Sequence, residues 1–156
     1  MADTMKCLRR SHYCGEISES GEVTVCGFVQ KIRDLGNLIF IDLRDRTGIV
    51  QLAFNDQTDR DILEKASTCR SEFVLMAKGI VTKRESANPD LKTGEIEILV
   101  NDLRILAKAQ TPPFEIIDNT NTNEELRLKY RYLDLRRQEL QKNIMMRHEI
   151  AKVGRE

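Results

Sequence analysis

The chain has no surplus of charge of either sign. Lys and Arg total 25, Asp and Glu total 25, and the formal net charge is zero. That excludes a protein holding nucleic acid by bulk charge alone, so any such binding must rest on a local basic strip and on stacking. No apolar run is long enough to cross a bilayer, and no apolar segment follows the basic residues Lys6, Arg9 and Arg10, so a signal-peptide pattern is missing too. A cytoplasmic protein without a membrane partner is expected. The four cysteines, Cys7, Cys14, Cys26 and Cys69, form no CxxC pair, and neither His12 nor His148 stands at metal-ligand spacing from them. This argues against zinc and for free, mostly buried thiols in a reducing compartment. Both histidines read as surface or packing residues. There is no P-loop, no dinucleotide glycine fingerprint and no GxSxG elbow. Nothing places paired carboxylates around a metal or a water, so no catalytic residue and no metal site is assigned. Internal repeats and low-complexity segments are also missing.

What is present is 156 residues with 40% apolar and 32% charged content, enough for one domain with a core plus an extension. The most informative stretch is Val23 to Phe54, which reads as three strands joined by tight turns at Gly36-Asn37 and Thr47-Gly48. In the middle strand, Leu38 to Arg44, the residues Ile39, Ile41 and Leu43 form one face; Leu38, Phe40, Asp42 and Arg44 form the other. The first set is a core face. The second is mostly polar, yet it carries an aromatic ring. The first strand runs from about Val23 to Arg33, and Gly27 inside it marks a bulge or sharp bend of the kind that lets one strand serve both sheets of a small barrel. The third runs from Ile49 to Phe54.

Beyond it, Asp56 or Thr58 is expected to cap a short helix reaching Cys69, with Ile62, Leu63 and Ala66 on one face. A fourth strand is expected over Glu72 to Arg84 and a fifth over Glu95 to Leu106, separated by a loop at Ser86 to Asp90 and a turn at Thr93-Gly94. The order β-β-β-α-β-β is that of a mainly β, five-stranded Greek-key barrel of the OB type, with a helix between strands 3 and 4. Met1 to Leu8 reads as a loose tail. Residues 1–106 thus form the barrel domain, and residues 107–121, with Pro112-Pro113 and a run of Asn and Thr, read as a linker. From residue 122 to 156 the periodicity is helical. Thr122-Asn123-Glu124-Glu125 has capping-box spacing, Leu126, Tyr130 and Leu133 share a face, and a further helix carries Leu140, Ile144 and Ala151 on one side. The chain reads as a piece cut within a longer protein.

Phe40 reads in two ways. It is either a platform on which an unstacked base lies, worth ~1–3 kcal/mol per base, or a ring folded into a minor core beneath the N-terminal segment. Gln51 offers a donor and an acceptor together, as base-edge reading requires, or is a solvated strand residue. Glu97 points outward beside Ile96 and Ile98, where a carboxylate can accept from a base amino group or simply face water. Lys31, Arg33, Arg44, Arg46, Lys83 and Arg84 are expected along one side of the barrel, as phosphate contacts or as a solvated face.

Two strings carry a specific resemblance. RDLGNLIFIDLRDRTGIVQ (Arg33 to Gln51) and LKYRYLDLRR (Leu128 to Arg137), supported by TGEIEI (Thr93 to Ile98), resemble bacterial aspartyl-tRNA synthetases; class II synthetases for lysine share only part of the second string. The resemblance covers nearly the whole chain. It implies an N-terminal OB-fold anticodon-binding domain, then a linker and the start of a class II catalytic domain, in an enzyme that uses ATP and Mg2+ to activate aspartate and transfer it to tRNA(Asp). It implies further that the ring of Phe40 stacks on the middle anticodon base, a uracil, and that Gln51 hydrogen-bonds that base. Glu97 would read the first base, a guanine or queuine derivative. Arg33 would contact the anticodon stem-loop, and Arg84 and Asn88 would lie in the loop that reaches the third base. Leu35 resembles members restricted to the aspartate tRNA, where those that also charge the asparagine tRNA often carry His. The class II motifs would lie beyond Glu156, so the chain alone is expected to be inactive, to need no cofactor and to be monomeric, where the full-length enzyme is a homodimer. The alternatives are a general single-stranded nucleic-acid-binding OB module and a barrel that binds protein.

Overall fold

A single long strand sets the architecture. In the computed structural model, which describes all residues except Met1, Lys6, Cys7, Glu19 and Glu156, β1 (Glu22–Asp34) pairs first with β4 (Val74–Lys83) and then with β2 (Ile39–Arg44), both antiparallel. Phe28 belongs to both ladders, facing Val74 on one side and Arg44 on the other. β3 (Ile49–Phe54) runs antiparallel to β2 and parallel to β5 (Ile96–Ala107), and β5 pairs back onto β4. The barrel is closed in the order β1-β2-β3-β5-β4, the five-stranded OB arrangement expected from the element order.

Alternation does the rest. Ile39, Ile41 and Leu43 from β2, Val50, Leu52 and Phe54 from β3, Leu75 and Ala77 from β4, and Ile98 and Val100 from β5 are all buried in one core. Each large side chain removed from water contributes roughly 1.5–3 kcal/mol. Gly27 sits where β1 passes from β4 to β2, and a Cβ there would stand 2.5 Å from the Arg44 carbonyl oxygen. The bulge itself lies further along. The β1–β2 register slips between Val29 and Lys31, leaving Gln30 as the extra residue. Val29 instead donates its N–H to the Phe73 carbonyl and accepts from the Glu72 N–H. The extra residue reverses the alternation, because a one-residue slip exchanges the two faces. Val23, Val25 and Val29 are buried, whereas Lys31 and Arg33, of the same parity, are exposed and Ile32 packs on the core.

α1 (Arg60–Ser67) places Ala66 in the core, with Ile62 and Leu63 packed against it. Its cap is Asp59, not Asp56 or Thr58: the Asp59 carboxylate accepts from the Asp61 N–H at 2.9 Å, while the Thr58 hydroxyl is taken by the Asn55 N–H. The helix stops at Ser67, short of Cys69. The N-terminal stretch is not loose in its described residues. Asp3 donates its N–H to the Ile105 carbonyl, its carboxylate accepts from the Ile105 N–H and the Lys65 ammonium, and Arg104 holds the carbonyls of Thr4 and Met5. Cys14 and Cys69 are buried, Cys26 is half-buried, and all three are free; Cys7 and Lys6 lie outside the described residues.

The chain divides into two compact units, Met1–Pro112 and Pro113–Glu156. In the second unit, α2 (Glu124–Lys129), α3 (Arg131–Asp134) and α4 (Gln138–Val153) follow one another. Leu126, Tyr130 and Leu133 share a small core with Phe114 and Ile116, so part of the stretch read as a linker is packed. α2 is capped by Asn123 rather than Thr122, through its side-chain oxygen and the Glu125 N–H at 3.0 Å. No helix among the described residues is long and apolar enough to cross a membrane.

Candidate nucleic-acid interface

Register explains why the candidate residues meet. Arg33, Phe40, Ala53 and Leu99 stand opposite one another or along one row across β1, β2, β3 and β5. Lys31, Asp42, Gln51 and Glu97 form the next row. Rows two residues apart along a strand are separated by roughly 7 Å and point to the same face. The sheet therefore presents an apolar row beside a polar one, on the outside of the barrel. Arg33 reaches this face only because of the Gln30 bulge.

Over these rows lies a cleft of about 550 Å³ whose walls include Arg33, Phe40, Gln51, Glu97, Arg84 and Asn88. Leu38, Ala53 and Leu99 extend its apolar floor, and the loop at Ser86 to Pro89 forms a rim. Phe40 is half-buried and is not a core residue: its ring borders the cleft, with the Arg33 guanidinium carbon 5.6 Å from its centroid. Gln51 is not a solvated residue. It is buried, its Oε1 accepts from Arg33 Nη2 at 2.8 Å, and its Nε2 donates to Glu97 Oε2 at 2.8 Å. The same Arg33 nitrogen donates to Asp42 Oδ1 at 3.2 Å. The result is a continuous relay, Asp42–Arg33–Gln51–Glu97, along the edge of the cleft. Asp42 is the member that the sequence did not single out.

The rim loop is fixed by its backbone. Asn88 donates its N–H to the Gly94 carbonyl, accepts from Leu91, and its Oδ1 receives the Asp90 N–H at 3.0 Å. A Cβ on Gly94 would stand 1.8 Å from the Asn88 carbonyl oxygen, so only glycine fits that crossing. The Asn88 side-chain nitrogen has no hydrogen-bond partner among the described residues. Arg84, whose N–H is held by the Glu95 carbonyl, keeps a guanidinium without a side-chain partner among the described residues.

The expected basic strip is broken. Arg44 is buried and paired with Glu72 at 2.7 Å, at the end of the strand where the bent β1 covers it. Arg46, at the far end of β2 from Phe40, donates to the Tyr13 hydroxyl and lies over its ring. Lys83 is exposed and does not line the cleft. Leu35, 70% exposed in the β1–β2 turn, also lies outside the cleft lining. Among the described residues no group of His, Cys, Asp or Glu is arranged to hold a metal ion.

Comparison with known proteins places this geometry in context. The family described as OB-fold nucleic acid binding domain matches residues 23–106. Over its whole length the chain is 51% identical to an aspartate–tRNA ligase of Agathobacter rectalis and 52% identical to an aspartate–tRNA(Asp/Asn) ligase of Halothermothrix orenii, covering 27% of each. The asparaginyl-tRNA synthetase of Pyrococcus horikoshii, solved with asparaginyl-adenylate, superposes with a TM-score of 0.67 at 28% identity, over 83% of this chain and 29% of that one. The chain thus spans about a quarter of the length of the curated relatives it matches, at 27%.

Proposed function

The chain belongs to the family of OB-fold nucleic acid binding domains, and from that premise we propose that its cleft reads the anticodon of tRNA(Asp) as part of an aspartate–tRNA ligase. One observation carries the reading. A half-buried ring borders a cleft beside a buried amide whose donor and acceptor ends are both held, and the cleft is lined as well by the Arg84 guanidinium, unpaired among the described residues, and by a loop hydrogen-bonded through its backbone. A base laid on Phe40 over Ala53 and Leu99 would bring its edge to Gln51, one row away.

The roles follow from chemistry. Phe40 stacks on the middle base, a uracil, and Gln51 bonds its edge. Glu97 has a second carboxylate oxygen for an amino group of the first base, guanine or its queuine derivative. Arg33 uses Nη2 within the relay, so Nη1 and Nε face the stem-loop backbone. Arg84 and Asn88 reach the third base from the rim. Leu35 bears on tRNA choice from the β1–β2 turn. Relatives named for the aspartate tRNA alone and for both tRNAs are equally similar, at 51% and 52%, so overall identity does not decide that choice.

The full-length enzyme activates aspartate with ATP and Mg2+, acts in the cytoplasm and is a homodimer. The residues described here do not fit either cofactor: they offer no metal-holding cluster and no phosphate loop. No step of the chemistry is assigned to them, and the expectation for the chain alone is that it neither catalyses nor dimerises. Its contribution is to select the tRNA.

The test is binding of the 156-residue chain to an aspartate anticodon stem-loop and to loops altered only at the middle base. Loss of affinity on changing that base is expected. Equal affinity for every loop would point to a general single-strand binder, and no affinity for any RNA to a protein-binding barrel; either overturns the reading.

A further inference from the structure

A glutamine is an ambiguous reader. Its carboxamide can turn over about its last torsion, exchanging donor and acceptor at nearly the same place. Uracil and cytosine differ by the same exchange: uracil offers the O4 acceptor beside the N3–H donor, and cytosine the N4 amino donor beside the N3 acceptor. An amide free to turn accepts either base once stacking has fixed the base plane. An amide that is held accepts only one.

Gln51 is held at both ends. Arg33 can only donate and an ionised Glu97 can only accept. Turning the amide over would set its N–H against a guanidinium N–H and its oxygen against a carboxylate, losing both 2.8 Å bonds. Glu97 stands opposite Gln51 in the β3–β5 ladder, so that end is fixed by the sheet. Arg33 is different. Its side chain is 42% exposed and long, and nothing in the ladder ties its guanidinium to Gln51. The tether is Asp42, which faces Gln51 across β2–β3 and holds the second hydrogen of Nη2 at 3.2 Å. Asp42 is 17% exposed and does not line the cleft.

We infer that Asp42 is a positioning residue that sets the preference for uracil over cytosine at the middle base, by holding Arg33 so that the Gln51 amide cannot turn over. This rests on the anticodon reading above. Asp42 touches no base. It acts through Arg33 on the orientation of Gln51, and so on which base edge finds its donor and acceptor in place.

The experiment uses the 156-residue chain with two stem-loops that differ only by U or C at the middle position. Asp42→Ala is expected to lower the U-over-C affinity ratio at least about tenfold, the scale of one hydrogen bond to a charged group. Affinity for the U loop should fall less than about threefold. Asp42→Asn, which keeps the shape and loses the charge, should give a smaller loss of the ratio and carries the test if the alanine variant does not fold. In a Gln51→Ala background, Asp42→Ala should leave the ratio unchanged, because both act through one amide. A second readout needs no RNA: the Gln51 side-chain amide protons should exchange several-fold faster with water in Asp42→Ala. A retained ratio, equal losses for both loops, or unchanged amide exchange overturns the inference. If the wild-type chain shows no preference between the loops, the anticodon reading fails, while the amide exchange still reports on the tether by itself.

Discussion

Phe40→Ala separates stacking from electrostatics most sharply. The ring is half-buried on the outer face of β2 and belongs to the cleft wall rather than to the barrel core. Truncating a core ring such as Phe54, which is fully buried, costs about 3–5 kcal/mol of stability; truncating Phe40 should cost well under that and leave the barrel folded. Binding should suffer more. One base on one ring is worth ~1–3 kcal/mol. The Arg33 guanidinium already lies 5.6 Å from the ring centroid, near the outer limit of a cation–π contact, so part of the ring's attraction is engaged before RNA arrives. A loss of about 2 kcal/mol, or roughly thirtyfold in Kd, is therefore expected. Fluorescence anisotropy with a labelled aspartate anticodon stem-loop, at low and high salt, measures it. The decisive arm pairs the protein change with an abasic site at the middle position: the ring and the base should lose the same interaction, so the double change should cost little more than either single one. Additive losses, a loss no larger than that of Lys83→Ala, or a Phe40 effect that disappears in high salt would refute stacking.

Salt dependence should be shallow, because only Arg33 and Arg84 among the cleft residues offer free guanidinium nitrogens: a slope of log K on log salt near −1.4 is expected from about −0.7 per phosphate, and a slope beyond about −4 would mean that phosphates dominate. Glu72→Gln should destabilise the barrel by about 3–5 kcal/mol in urea unfolding, since it removes the carboxylate charge that faces the buried Arg44 guanidinium at 2.7 Å; a loss below about 1 kcal/mol would show that this charge pair contributes little to the fold. Gly94→Ala should weaken RNA binding without unfolding the core, because its Cβ would displace the Asn88 carbonyl and with it the rim of the cleft; near-native affinity would show the rim to be dispensable. Burial pushes the Cys69 thiol up to about 11, so at pH 8 it stays protonated and should resist alkylation until the chain unfolds, whereas rising pH toward 11 should expose the thiolate; rapid labelling of Cys69 at pH 8 in the folded protein, read by peptide mass, would contradict its burial.

The strand alternation and the β-β-β-α-β-β order were legible because a half-buried strand has a period of two, and Ile39, Ile41 and Leu43 obey it without interruption. The cleft was legible in its residues, through resemblance, but not in its wiring. A polar residue on an outward face looks solvated in one dimension, and only the ladders reveal its partners: β3–β5 brings Glu97 to Gln51, and β1–β2–β3 brings Arg33 over it. The bulge left a trace that a strict reading of parity would have caught: the apolar positions change from Val25 and Val29 to Ile32. Its consequence, that Arg33 turns outward, needed the ladder. Arg44 was misplaced because its partner stands 28 residues away in a connection that no local pattern joins to β2. The caps went to Asp59 and Asn123 rather than their neighbours for a similar reason. Several capping residues stood in line, and which one faced the first free N–H depended on where the preceding strand or coil released the chain.

The neutral composition and the cleft now bear on each other. Beside Phe40 the positive groups, Arg33 and Arg84, are matched by the negative ones, Asp42 and Glu97, so the site repeats in miniature the balance of the whole chain. Such a site gains little from the mere presence of a polyanion. It gains from a flat apolar face over Phe40, Ala53 and Leu99, and from donors and acceptors whose directions are set before binding. Three of its four charged groups are engaged within the site: Asp42 with the Nη2 edge of Arg33, and Arg33 and Glu97 with Gln51. On the anticodon reading proposed above, that engagement would weaken attraction for RNA in general and stiffen the response to one base edge.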